Sequence, residues 1–183
     1  MTTKHAAIEI CVSSPVHHDG LRKVHEQAFG RKDEADLVDK LLSSDALIDD
    51  LSMVAISDGQ VVGHILYTRV DIVNDQDVSS SSKGNYAIAL APLAILPAFQ
   101  KQGIGRLLMN ESIAKADKNG HGIIIVLGHP EYYPKFGFQP ASQYGMSSPF
   151  DAPDNCFMAK PLSKYDKSIH GDVVYHEAFN KID

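Results

Sequence analysis

Cysteine is scarce and unpaired by spacing. Cys11 and Cys156 are the only two, far apart and without a CxxC. The pattern reads as two free thiols in a reducing compartment, with one long-range disulfide as the lesser alternative. Excess positive charge is missing too: 17 Lys and Arg against 23 Asp and Glu give a net charge of -6. A dense basic surface for non-specific nucleic-acid binding is thereby disfavoured. An anionic ligand stays open, because only the local field at a site matters. The start, "MTTKHAAIEI", has no apolar signal segment, and no apolar run is long enough to span a bilayer. A cytoplasmic protein with no membrane partner is the default expectation. Nine histidines show neither H-x-H nor HExxH spacing, so no metal site is expected. There is no internal repeat and no linker marking a second domain.

The chain has 183 residues, 44% of them hydrophobic, enough for one substantial core. "AAIEICV" reads as a strand. "HHDGLRKVHEQAF" places Leu21, Val24 and Ala28 at helical spacing, with Asp19 as a cap, and "DEADLVDKLLSS" repeats the pattern with Leu37, Val38, Leu41 and Leu42. Two β-rich runs flank Asp58-Gly59, a hairpin signal. "NDQDVSSSSKGN" reads as a mobile polar loop. "YAIALAPLAIL" is apolar throughout, as in a strand buried on both faces, and Pro92 should break its pairing with a bulge. "GIGRLLMNESIAKADKNG" reads as a helix stopped at Asn119-Gly120, and "GIIIVLG" as another buried strand. "HPEYYPKFGF" reads as a short helical turn opened by Pro130 and stopped at Gly137, and "NCFMAKPL" as a late strand. Strand, helix and strand from "YAIALAPLAIL" to "GIIIVLG" make a βαβ unit with parallel strands.

The junction "PAFQKQGIG" sets two glycines, two glutamines and a lysine between a strand and a helix. A helix N-terminus leaves backbone N–H groups unpaired and carries partial positive charge, so an anion suits it. Gly103 and Gly105 let a phosphate approach the backbone, and Lys101 and Arg106 add positive charge. The P-loop pattern is absent, and "GIGRLL" lacks the third glycine of the dinucleotide fingerprint. A plain strand-to-helix turn is equally compatible with the residues alone.

"LAILPAFQKQGIGRLLM" resembles motif A of the GNAT superfamily of N-acetyltransferases, [QR]-x-x-G-x-[GA] after an apolar strand, with Gln100, Gly103 and Gly105 at the matching places. "EYYPKFGF", some thirty residues on, resembles the family's short aromatic helix followed by Gly-Phe. The element order agrees from Ala7 to about Pro161, and "SSPFDAPDNCFMAKPL" resembles an uncharacterised bacterial branch. The resemblance implies a mixed, mostly antiparallel sheet with a splayed parallel strand pair and helices on both faces. It implies a domain over residues 1–161, with 162–183 as a C-terminal extension packed on it.

It also implies acetyl-coenzyme A as co-substrate. The pantetheine arm would pair with Leu93, Ala94 and Ile95, and the pyrophosphate would sit on the amides of Gln100, Lys101, Gln102, Gly103, Ile104, Gly105 and Arg106. The reaction would be acetyl transfer to a primary amine, on a small molecule or a protein; a coenzyme-binding module without turnover is the alternative. Amide formation needs a neutral amine, a donor to the oxyanion and a proton for the thiolate. The family pattern puts the oxyanion donor near Ile95 and the general acid at Tyr133, with Tyr132 packing beside it. The chain departs from the pattern at Val126 and His129, where the family often carries Asn and Ala, and at Pro134 directly after the tyrosine. No base can be read off: His17, His25, Glu26 and His64 are candidates. Homodimers are common in the family, and the sequence leaves the oligomeric state open.

Overall fold

The computed structural model describes residues 7–74 and 85–181. Most of the serine-rich loop, residues 75–84, lies outside the described residues. Two compact units emerge. One gathers the described residues up to Leu66 together with Pro92–Ile113; the other gathers Tyr67–Ala91 and Ala114–Lys181.

The first unit opens with β1 (Ile8–Val12), α1 (His18–Phe29), α2 (Asp33–Leu42) and β2 (Met53–Ser57). β1 pairs antiparallel with β2 from Ile8↔Ser57 to Val12↔Met53, and β2 turns into β3 (Gln60–Val73). Asp58 and Gly59 hold φ of 47° and 76°, the left-handed pair that a two-residue hairpin requires. α1 buries Leu21, Val24 and His25, and α2 buries Glu34, Ala35, Leu37, Val38 and Leu41; of the residues that the spacing predicts, Ala28 and Leu42 are only partly buried. Asp19 does not cap α1. A 3-10 turn over Pro15–His17 already bends the chain, so the helix starts earlier, with His17 at the cap and Asp19 inside the first turn. There its charge still suits the positive helix end.

β4 (Tyr86–Ile95) and α3 (Ile104–Lys118) begin in one unit and end in the other. Within the first unit, Gly63 of β3 allows close packing. A Cβ there would come 2.6 Å from Ile95 Cδ1 and 3.1 Å from Leu108 Cδ1. Gly63→Ala asks the side-chain tips of Ile95 and Leu108 to yield, whereas Gly63→Val should cost about 1–3 kcal/mol of stability by overpacking. Urea midpoints test this, and an unshifted Gly63→Val midpoint would show that the space is loose.

In the second unit β4 and β5 (Ile123–Leu127) run parallel, with Ile88↔Ile124 and Ala89↔Ile125 as the paired residues. β5 pairs antiparallel with β8 (Phe157–Pro161) along its whole length, and β8 with β6 (Gln139–Pro140). β9 (Gly171–Val174) pairs antiparallel with β3 and parallel with β7 (Met146–Ser147). The sheet is therefore mixed and mostly antiparallel. Ile123, Ile125, Phe157, Ala159 and Val173 share a buried cluster with Ala87 and Ala89. The aromatic segment is a 3-10 turn over Tyr133–Phe136, stopped by Gly137 at φ 86° as expected. It opens at Tyr133 rather than Pro130, because Pro134 supplies the fixed φ and missing N–H that suit a first turn.

Candidate active site

The β4–β5 ladder ends at Ala89↔Ile125, although both strands continue, β4 through Leu90 and Ala91 and β5 through Val126 and Leu127. Burial along β4 changes at the same place. Ala87 to Leu90 are buried without a break; from Ala91 onward the odd residues are half-exposed and the even ones buried. Leu93 and Ile95 thus share one half-open face, with Pro92 and Ala94 on the other. The Leu96 amide donates to Val62 O at 2.9 Å, fixing which edge of β4 faces β3. Backbone groups alternate between edges along a strand, so those of Leu93 and Ile95 point away from β3.

The loop after β4 is held by its own glutamines. Gln100 Nε2 donates to Ile95 O at 3.0 Å, and Gln102 Nε2 donates to Ala98 O at 2.9 Å. Lys101 takes φ 60° and Gly103 φ 87°, so two left-handed residues turn the backbone sharply into α3. The Leu107 amide closes the first helical turn on Gly103 O at 3.0 Å. The amides of Gly103, Ile104, Gly105 and Arg106 therefore precede the first intrahelical bond and are open to an anion. Gln100 differs from the expectation: its amide already donates to Pro97 O at 3.3 Å. Lys101, Gln102 and Arg106 are exposed, while Ile104 anchors the helix start in the core. A Cβ on Gly103 would meet nothing within 4 Å, so in the protein itself this glycine answers to conformation rather than to crowding.

These residues all lie in the first unit. Tyr133 lies in the second. Its ring packs over Gly128 so closely that a Cβ there would collide with Tyr133 Cε2. Tyr132 and Phe138 meet it edge-on, with ring centroids at 5.1 Å and 5.7 Å. Burial, with Tyr132 beside it, pushes the Tyr133 hydroxyl well above the usual tyrosine range. It keeps its proton throughout the physiological range. Tyr132 is half-buried and raised by burial as well. With His129, Pro130, Glu131 and Lys135 it lines an open pocket of about 540 Å³.

A family model described as "Acetyltransferase (GNAT) domain" matches residues 49–140. The uncharacterized N-acetyltransferase YjhQ of Escherichia coli K12 is 33% identical over 94% of this chain and 93% of its own. The chain belongs to the GNAT acetyltransferase family. The uncharacterized N-acetyltransferase YhbS of the same organism is 29% identical over 94% of this chain and 98% of its own. The solved YhbS structure, in complex with CoA, covers all of this chain and 97% of its own at TM-score 0.86 and 26% identity. A Brucella melitensis GNAT acetyltransferase in complex with acetyl-CoA covers 96% of this chain and 99% of its own at TM-score 0.75 and 30% identity.

In this GNAT chain the base candidates are all engaged. His17 Nδ1 accepts from the Ser14 amide at 3.1 Å, and Glu26 pairs with Arg22 at 3.0 Å. His25 and His64 bond each other in the core. Val126 is buried and paired with Met158, so it supplies no polar side-chain atom. His129 is exposed, and it is its carbonyl that accepts from the Tyr132 amide, at 3.1 Å. Among the described residues no helix is long and apolar enough to cross a membrane, and no three His, Cys, Asp or Glu side chains converge on a metal-holding group. Gly128 escaped the sequence reading: a glycine ending an apolar run signals a strand end, and only the fold brings the tyrosine ring onto it.

Proposed function

We propose that this GNAT enzyme transfers acetyl from acetyl-coenzyme A to a primary amine. The observation that carries the reading is the β4–α3 junction, where open amides, positive side chains and a strand with outward backbone groups follow one another. Leu93 and Ile95 present main-chain groups to the pantetheine arm, whereas those of Ala94, expected to join them, face β3. The amides of Gly103, Ile104, Gly105 and Arg106 hold the pyrophosphate, helped by Lys101, Gln102 and the Arg106 guanidinium. The two chains named above whose structures hold CoA or acetyl-CoA support the same ligand.

The chemistry is attack of a neutral amine on the thioester carbonyl. The Ile95 amide points away from β3 and serves as donor to the oxyanion. Tyr133, held protonated by burial, donates to the departing sulfur. With the candidate histidines and Glu26 occupied, water carries off the amine's proton. Calorimetry with acetyl-CoA, followed by an amine screen that reads free thiol, tests the proposal. Binding with amine-dependent thiol release is the expected result. Binding with no release from any amine would leave a coenzyme-binding module, and no binding would end the reading.

A further inference from the structure

In the first unit four side chains form one hydrogen-bonded line. Ser13 Oγ lies 2.6 Å from Ser52 Oγ, Ser52 Oγ lies 3.0 Å from His64 Nε2, and His64 Nδ1 lies 2.8 Å from His25 Nε2. The four come from separate segments: just after β1, just before β2, the middle of β3, and α1. Ser52 is 1% exposed and both histidines 0%. Phe29 stacks on the His25 ring at 6.2 Å. The far end of the line, His25 Nδ1, is buried without a hydrogen-bond partner.

Counting protons on the two rings shows what the line tolerates. A neutral pair carries two. One occupies the N–N bond between the rings, and the other sits on His64 Nε2 and donates to Ser52 Oγ. His25 Nδ1 is then a bare lone pair, and every N–H has an acceptor. A third proton has one place to go, His25 Nδ1, where no acceptor waits. The added charge is also buried without water. The charged groups that face the pair offer little relief. Glu34 of α2 acts on His25, but it already holds Arg31 at 2.6 Å, and His64 feels only His25. Across the sheet, Val54 of β2 and then Cys11 of β1 stand in register with His64, an apolar side chain and a thiol.

We propose that this imidazole pair is an acid-sensitive latch: neutral, it fastens α1 to β3, and one added proton breaks the line and frees the helix. Burial agrees, holding His25 down at about 4 and His64 well below the usual histidine range. The folded state thus binds protons less readily than the unfolded chain. The latch's stabilisation is complete above the unfolded value of about 6.5 and drains away as pH falls from there toward 4. Between pH 7.5 and 5.0 one such imidazole lowers the folded-to-unfolded ratio about thirtyfold.

The test uses the full chain. Urea unfolding at pH 7.5 and 5.0 should show a smaller acid loss in a His25→Phe/His64→Leu variant than in wild type, by at least that factor. Equal losses would overturn the latch. Wild type alone gives a second measurement should the variant not fold. Nitrogen-15 spectra should show both imidazoles neutral at pH 5.0, and amide protection over Leu21–Phe29, corrected for intrinsic exchange, should fall about thirtyfold between pH 7.5 and 5.0. An ordinary histidine titration in either ring of the folded protein, or unchanged protection in α1, would overturn it.

Discussion

Tyr133→Phe is expected to lower kcat by about 10²–10⁴-fold and to leave acetyl-CoA affinity unchanged. The substitution removes one oxygen and keeps the ring. That ring still fills the space over Gly128 and still meets Tyr132 and Phe138 edge-on. A loss confined to kcat would therefore report the hydroxyl and not the packing. Tyr132→Phe is the companion variant: its ring lines the open pocket, and the larger loss there would move the acid role one residue back. Because burial raises the Tyr133 hydroxyl well above its usual range, wild-type kcat should show no alkaline decline through the ordinary tyrosine range near pH 10. Single-turnover measurements establish that chemistry limits the rate. Near-wild-type turnover in Tyr133→Phe would leave the proton to water.

Gly103→Val and Gly105→Val are expected to weaken acetyl-CoA binding by about ten- to a hundredfold, equivalent to about 1.4–2.8 kcal/mol. At Gly103 the cause is φ 87°, a conformation that a β-branched residue adopts only with strain. Relief of that strain rotates the very amides that precede α3. At Gly105 the added branch would stand beside amides of the first turn, where a pyrophosphate oxygen must come close. Gly30→Val makes the control. Gly30 ends α1 at φ 70°, and a Cβ there also meets nothing within 4 Å. It should lose stability and keep coenzyme affinity. Equal affinity in all three variants and wild type by calorimetry would remove the junction from the binding site.

The parts of the fold legible in the sequence are those with a strong local rule. Helical spacing located α1 and α2, Asp58-Gly59 located the hairpin, and unbroken apolar runs located β4 and β5. The two-residue strands β6 and β7 were not legible, because two residues carry no period. The opening of the aromatic turn was misplaced, since Pro130 and Pro134 both fit a first turn and only tertiary context chooses. The glycines of the junction were legible as a pattern, but the engaged Gln100 amide was not. The His25–His64 bond joins residues 39 apart and had no local signature at all. A histidine on a helix and another in a strand look ordinary until the fold sets them edge to edge.

The chain passes from one compact unit to the other inside β3, inside β4 and inside α3, between Leu66 and Tyr67, Ala91 and Pro92, and Ile113 and Ala114. Each of these three crossings falls within a strand or a helix. No cut of the gene yields either unit alone without severing a strand or a helix. The two units must therefore be inherited, truncated and shuffled as one cassette, and a fragment ending at any crossing should be recovered as an unfolded peptide.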